Sequence, residues 1–266
     1  STVSRVLNNE SGVNQKTREK VEAVIREHGF VRSKFARAMS TQSDQVVAII
    51  VTRLSSASEN IAVANMLPIL YQQGYDPLIM ESNFDSLLLD GHLKNLKQRK
   101  ISGIIIFGFT GLEPKILMPW ADKLVLCARR QDNISSVNYD DKGAIILLIQ
   151  ELVKQGHQHI SFLGVEDEDT TTGFDRHQAY LAACDQYGIE ACSTQTTLSY
   201  QSGYDKTPQI LQPATSAIIC ATDNLALGTN KYLQTHQLGN IKVASVGNNP
   251  LLKFLYPETL CVDFGY

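Results

Sequence analysis

The chain has 266 residues, 43% of them hydrophobic, with 24 Lys and Arg against 27 Asp and Glu for a formal net charge of −3. Length and apolar content supply core for more than one domain, while no apolar run approaches the roughly 20 residues of a membrane span, so no membrane partner is expected. The five cysteines, Cys127, Cys184, Cys192, Cys220 and Cys261, are odd in number and show no CxxC spacing, which argues against a disulfide framework or a metal centre. With no recognisable signal peptide, they read as reduced, mostly buried thiols of a cytoplasmic protein.

Residues 1–8 divide on a helix into two sides. At about 100° per residue, Val3, Val6 and Leu7 fall together, and Ser1, Ser4, Arg5 and Asn8 gather opposite them. Hydroxyls and an amide suit phosphate oxygens, and an Arg among them reaches guanine O6 and N7 in the major groove. Ser1, Thr2, Ser4, Arg5 and Asn8 are therefore candidate DNA contacts, although eight residues alone describe an ordinary surface helix equally well. Next, Asn14 is placed to cap a helix over 15–28, with Val21, Val24 and Ile25 facing inward and Gly29 as its stop. Residues 33–39 are short and helix-prone, and 40–43 read as a linker. Residues 1–43 carry eight Lys or Arg against four Asp or Glu, so the basic charge of a net-negative chain sits at the end expected to meet DNA.

Thr2-Val3-Ser4-Arg5-Val6-Leu7-Asn8, Val13, Thr17-Arg18, Val21, Gly29-Phe30 and Ala36-Arg37-Ala38-Met39 resemble the LacI/GalR family of bacterial repressors. The resemblance implies a helix-turn-helix whose second helix enters the major groove and a hinge helix that enters the minor groove. Arg32 replaces the family's usual Pro, and Met39 replaces the Leu that wedges between base pairs, a flexible apolar substitute for the same task. A helix-turn-helix needs a helix before its reader to brace it. The chain starts inside the reader, so it is expected to be a fragment that binds operator poorly where the intact protein binds well.

From residue 46 onward short apolar runs alternate with amphipathic ones. Strands are predicted at 46–52, 76–80, 103–107, 123–128 and 135–139, with helices at 60–73, 86–97 and 113–120 between them. A second series follows: helix 141–155, strand 159–164, helix 174–187, strand 215–221, helix 224–235 and strand 242–246. Such alternation predicts two doubly wound parallel sheets with a cleft between them. The expected organisation is a partial helix-turn-helix over 1–32, hinge helix and linker over 33–45, and effector-binding subdomains over 46–140 and 141–266.

Open α/β sheets bind ligands beyond the carboxyl ends of their strands. Arg53 and Glu59 follow the first strand, Gly108 to Gly111 the third, and Arg129-Arg130 the fourth. In the second series the strand ends lead to Asp169-Thr170-Thr171-Thr172-Gly173 with Arg176, then to Thr222-Asp223-Asn224. Fixed guanidiniums and a Thr-rich helix start both present donors to an anion, and Glu59, Asp169 and Asp223 suit sugar hydroxyls, so the ligand expected is a phosphorylated sugar or polyol. Surface salt bridging is the competing explanation for any single Arg. The acidic run Glu166 to Asp169 reads as a solvated loop whose last residue caps a helix, and the i, i+2 pair His157 and His159 is not set up to share a metal.

Residues 46–266 also resemble the family's regulatory domain, a type I periplasmic-binding-protein fold, through Gln155-Gly156-His157, Arg176 with Ala179-Tyr180, 222–228 and 243–247. Within the family, residues 47–53, 73–77, 245–248 and 252–255 are similar to members that respond to trehalose. The likeness implies trehalose 6-phosphate, or trehalose, as inducer, with Arg53, Glu59, Gly108, Arg129, Asp169, Thr170, Thr171, Thr172, Arg176, Asn224 and Tyr266 in the pocket. Cys127-Ala128-Arg129-Arg130 departs from the family's usual Ile-Asp-Arg, leaving Arg129 and Arg130 as alternatives. A repressor of this kind binds operator DNA as a homodimer, and a seven-residue hinge orders only when DNA and its twofold mate supply contacts. Sugar phosphate binding then weakens DNA binding by linkage, and Arg176→Ala is expected to abolish induction with folding intact. A sugar-binding receptor without a DNA role is the alternative, disfavoured by residues 1–45; an enzyme is disfavoured because no nucleophile or paired catalytic motif accompanies these groups.

Overall fold

A computed structural model describes residues 2–7, 11–27 and 45–264. β1 (Val46–Val51) is an unbroken apolar run with five of its six residues buried, as a strand covered on both faces must be. Successive side chains leave on opposite faces, so Ala48 and Ile50 join one core cluster while Ile49 and Val51 join another. Around it lie β2 (Asp76–Glu81), β3 (Gly103–Phe107), β4 (Leu124–Cys127) and β5 (Ser135–Val137), all parallel in the order β2-β1-β3-β4-β5. Parallel neighbours require crossovers, and α3 (Ala57–Gln72) and α4 (Ser86–Lys97) supply the first two.

The second sheet repeats the plan in the parallel order β10-β9-β8-β6-β7: β6 (Ile160–Val165), β7 (Cys192–Thr196), β8 (Ala217–Cys220), β9 (Lys242–Val246) and β10 (Leu260–Val262). Between the two sheets in the chain runs α6 (Asp141–Lys154), and the crossovers of the second are α7 (Arg176–Tyr187), α8 (Tyr200–Lys206), α9 (Asp223–Thr235) and α10 (Pro250–Leu255). Tyr180, wholly buried, stacks on Phe162 and exchanges hydrogen bonds with the Ile160 and Cys192 backbone, tying α7 to β6 and β7. The fold is α/β with two doubly wound parallel sheets, as the alternating pattern predicts.

Several elements differ from expectation. β7, α8, α10 and β10 were not predicted: β7 reads Cys-Ser-Thr-Gln-Thr, a half-covered edge strand without an apolar run, and the others are three to seven residues long. The helix expected over 113–120 is split into α5 (Pro114–Leu117) and a 3₁₀ turn at Met118–Trp120, because Pro119 has no N–H to continue an α-helical ladder.

At the amino end, α1 (Thr2–Leu7) precedes α2 (Gln15–Glu27), whose Thr17 N–H donates to Asn14 Oδ1 at 2.8 Å in the predicted cap. Val6 is buried, but Val3 is 48% and Val24 53% exposed, so the inward set of α2 is smaller than expected. Residues 33–44 of the predicted hinge and linker, with Ser1, Asn8 and Met39, lie outside the described residues, as does the side chain of Ser4; Thr2 and Arg5 are exposed. Among the described residues no helix is long and apolar enough to cross a membrane.

Candidate effector-binding cleft

Loops at the carboxyl ends of both sheets line one cleft. On the first lobe, β1 runs into Thr52 and Arg53, and Ser56 starts α3 by accepting from the Glu59 N–H. Glu59, in the first turn of α3, accepts from the Thr52 N–H at 2.6 Å and from the Thr52 hydroxyl. Burial pushes the Glu59 carboxyl up from its usual range, and the bonds from Thr52, the Arg53 N–H and the Arg53 charge pull it back. Arg53 is half-buried, its guanidinium 5.3 Å from the centre of the Phe84 ring. Its Nε is buried without a hydrogen-bond partner among the described residues. Gly108, after β3, permits a close approach: a Cβ there would lie 2.6 Å from Arg129 Cβ and 3.3 Å from the Cys127 carbonyl oxygen.

On the second lobe, Asp169 starts a wide π-type turn, Thr170–Asp175, by accepting from the N–H groups of Thr171 at 3.2 Å and Thr172 at 3.0 Å. Its capping role is the one read from the sequence. Gly173 closes this turn against the backbone, where a Cβ would sit 2.1 Å from the Glu166 carbonyl oxygen. Arg176 opens α7 in a buried position: Nε lies 2.7 Å and Nη2 2.6 Å from Asp141 Oδ1, Nη1 donates to the Ala221 carbonyl, and the Phe264 ring lies 5.6 Å away. Asp223, first residue of α9, accepts from Ser245 Oγ at 3.3 Å and packs against Gly247, which has φ 108°. Burial pushes its carboxyl up to about 6, opposed by the Asn249 N–H, Ser245 and the Arg176 charge. Asn224 donates to the Leu198 carbonyl at 3.2 Å. Thr110 of the first lobe accepts from the Thr170 N–H at 2.9 Å, a direct link between lobes at the rim.

The expected site residues Arg53, Glu59 and Gly108 thus share a cleft with Asp169, Thr171, Thr172, Arg176, Asp223 and Asn224. Arg129 and Thr170 line an adjoining pocket with Arg130 and Lys142; Arg129 Nη1 donates to the Phe109 carbonyl at 2.5 Å. Two of the three arginines, rather than all three, face the main cleft. Tyr266 lies outside the described residues. Sequence reasoning missed Phe84 and Asp141, which also line it, while Phe109 lies in the strand-end run 108–111. Asp141 had a signal, an acidic pair opening a helix; Phe84 had none. Arg176 also proves more enmeshed than expected: its removal strands a buried carboxylate, so intact folding of Arg176→Ala is no longer the expectation. Among the described residues no group of three or more His, Cys, Asp or Glu is arranged to hold a metal. His157 lies beside Ser216 Oγ at 3.1 Å.

Residues 1–33 match the family described as bacterial regulatory proteins, lacI family, and residues 46–249 match periplasmic binding proteins and sugar binding domain of LacI family. HTH-type transcriptional regulators TreR from Salmonella typhimurium and Escherichia coli are each 54% identical over 266 residues, covering 100% of this chain and 84% of the relative. A solved structure described as the trehalose repressor from Escherichia coli superposes with TM-score 0.83 at 51% identity, over 84% of this chain and 88% of that one. A lac repressor dimer bound to operator and an anti-inducer superposes with TM-score 0.85 at 21% identity, over 98% and 82%, and speaks for the fold alone. A family helix-turn-helix segment joined to a family sugar-binding core, with relatives named as transcriptional regulators at 54% identity, means that the chain belongs to the LacI family and is a sugar-responsive, DNA-binding transcriptional repressor, not an enzyme.

Proposed function

We propose that the cleft binds a phosphorylated disaccharide, trehalose 6-phosphate, and that its binding lowers the affinity of a homodimer for operator DNA in the cytoplasm. The observation that carries this is Arg53: a half-buried guanidinium on the cleft wall with an unpartnered Nε, a group whose desolvation an anion would offset. Opposite it, Asp169, Asp223 and Asn224 offer acceptors and donors to hydroxyls. The trehalose part rests on relatives named TreR and on the structure described as a trehalose repressor. Arg129 and Thr170 extend the site into the adjoining pocket, and the family resemblance adds Tyr266.

In this reading residues 1–32 read DNA through Ser1, Thr2, Ser4, Arg5 and Asn8, residues 33–45 form hinge and linker with Met39 as wedge, and 46–140 and 141–266 are the two effector-binding subdomains. An effector that favours one lobe orientation changes how the two hinges of a dimer are held apart, and reciprocity requires that DNA weaken effector binding by the same factor. Parallel calorimetric titration with trehalose 6-phosphate, trehalose and glucose 6-phosphate tests it. Tightest binding of trehalose 6-phosphate is expected; equal affinity for trehalose would remove the phosphate, and absence of binding by both would remove the disaccharide.

A further inference from the structure

Phe84 is the cleft residue least accounted for by folding. It and Asn83 both have left-handed backbone, with φ of 58° and 50°, a conformation in which bulky non-glycine residues are true outliers and which persists only where the surroundings enforce it. The enforcing bonds are visible. The Ser82 and Asn83 N–H groups donate to the carbonyls of Val51 at 2.9 Å and Thr52 at 2.8 Å, fastening this turn to the end of β1. On the other side, Asp85 caps α4 by accepting from the Leu87 and Leu88 N–H groups at 2.7 and 3.3 Å. The turn is thus pinned beside the peptide that carries Arg53, yet the ring gains little burial from it, remaining 41% exposed at the cleft. Its orientation is set by the buried Phe109, edge to face at 6.1 Å and 89°.

What the ring does is hold a cation. The Arg53 guanidinium lies 5.3 Å from its centroid, within the range of a cation–π contact. A carboxylate in the same place would also fix the guanidinium but would neutralise it. Glu59, whose carboxyl feels the Arg53 charge, has its oxygens engaged by Thr52. An aromatic face fixes position and leaves the charge available. The contrast with Arg176, ion-paired to Asp141, shows both solutions on one cleft.

We infer that Phe84 is a positioning residue for anion recognition: its strained turn presents an aromatic face that holds Arg53 in place, without a carboxylate partner among the described residues, for the phosphate of the effector. The inference rests on the phosphorylated-disaccharide reading above and adds the residue that sets phosphate selectivity. The test is the ratio of dissociation constants for trehalose 6-phosphate and trehalose, measured by calorimetry on wild type, Phe84→Leu and Phe84→Tyr, with circular dichroism confirming that each is folded. Phe84→Leu is expected to raise the constant for trehalose 6-phosphate about three- to tenfold more than that for trehalose, the size of a partly desolvated cation–π contact; Phe84→Tyr keeps the face and should keep the wild-type ratio. A leucine variant that weakens both ligands equally, or neither, would reduce Phe84 to packing and overturn the inference while leaving the wild-type preference for phosphate standing. A wild type without that preference would instead defeat the functional reading, and this one with it.

Discussion

The two walls of the cleft hold their arginines in opposite ways. On the second lobe Arg176 is buried, ion-paired to Asp141 and bonded to the Ala221 carbonyl; on the first, Arg53 rests on an aromatic ring, its Nε without a partner among the described residues. A buried pair whose partners satisfy each other is rigid but largely neutral toward a ligand, whereas an unpaired guanidinium carries a desolvation cost that a ligand anion relieves. The second wall is therefore fixed by its own internal partners, and the first presents a guanidinium with no ion pair among the described residues. Two residues of the same type in one cleft are assigned by their partners to different work.

The largest effect expected from breaking this contrast is Arg176→Ala. Leaving the Asp141 carboxylate buried and alone should cost about 3–5 kcal/mol, seen as a lower urea midpoint, and Asp141→Asn in the same chain should restore part of it. An Arg176→Ala protein of wild-type stability would show that the second wall is not wired as described. Removing the Arg53 guanidinium should, by contrast, cost little stability.

Asp223 sharpens the comparison through pH. Its folded value of about 6 exceeds the usual 3.8, so between about pH 4 and 6 the folded chain binds this proton more tightly than the unfolded chain. The group's contribution to stability therefore falls as pH rises through that window. Asp223→Asn should be the more stable protein above pH 6, by an amount on the order of 2–3 kcal/mol, with the advantage fading towards pH 4. Denaturant midpoints for the two proteins at half-unit pH steps would show it, and parallel curves would refute the raised value.

Gly173→Ala tests whether the Thr-rich turn is built on backbone proximity. The new methyl would meet the Glu166 carbonyl oxygen at 2.1 Å, and overpacking of this kind costs about 1–3 kcal/mol. Thermal unfolding would report it, with effector binding weakened because Thr171 and Thr172 move with the turn. The smallest effect belongs to the amino-terminal helices: Asn14→Ala removes the Thr17 cap and should cost about 1 kcal/mol, read as lost helical signal without any change at the cleft.

Most of the parallel-sheet elements were legible because burial on both faces demands continuous apolar runs, as in Val46–Val51, and because caps such as Asn14 and Asp169 announce helix starts. The short polar β7 and the split at Pro119 were lost, the first because an edge strand needs no apolar run, the second because its proline was passed over. At the cleft, strand-end logic found Arg53, Glu59, Asp169, Arg176 and Asp223 one by one.

What the sequence by itself determined is the family, the two-sheet architecture and the residue types gathered at the strand ends, since hydrophobic period and local capping are properties of neighbours along the chain. Only the tertiary structure decided which arginine is ion-paired to a buried carboxylate and which rests on an aromatic ring. Asp141 lies 35 positions from Arg176 and Phe84 lies 31 from Arg53, and electrostatic pairing depends on distance in space and on burial, neither of which a linear spacing records.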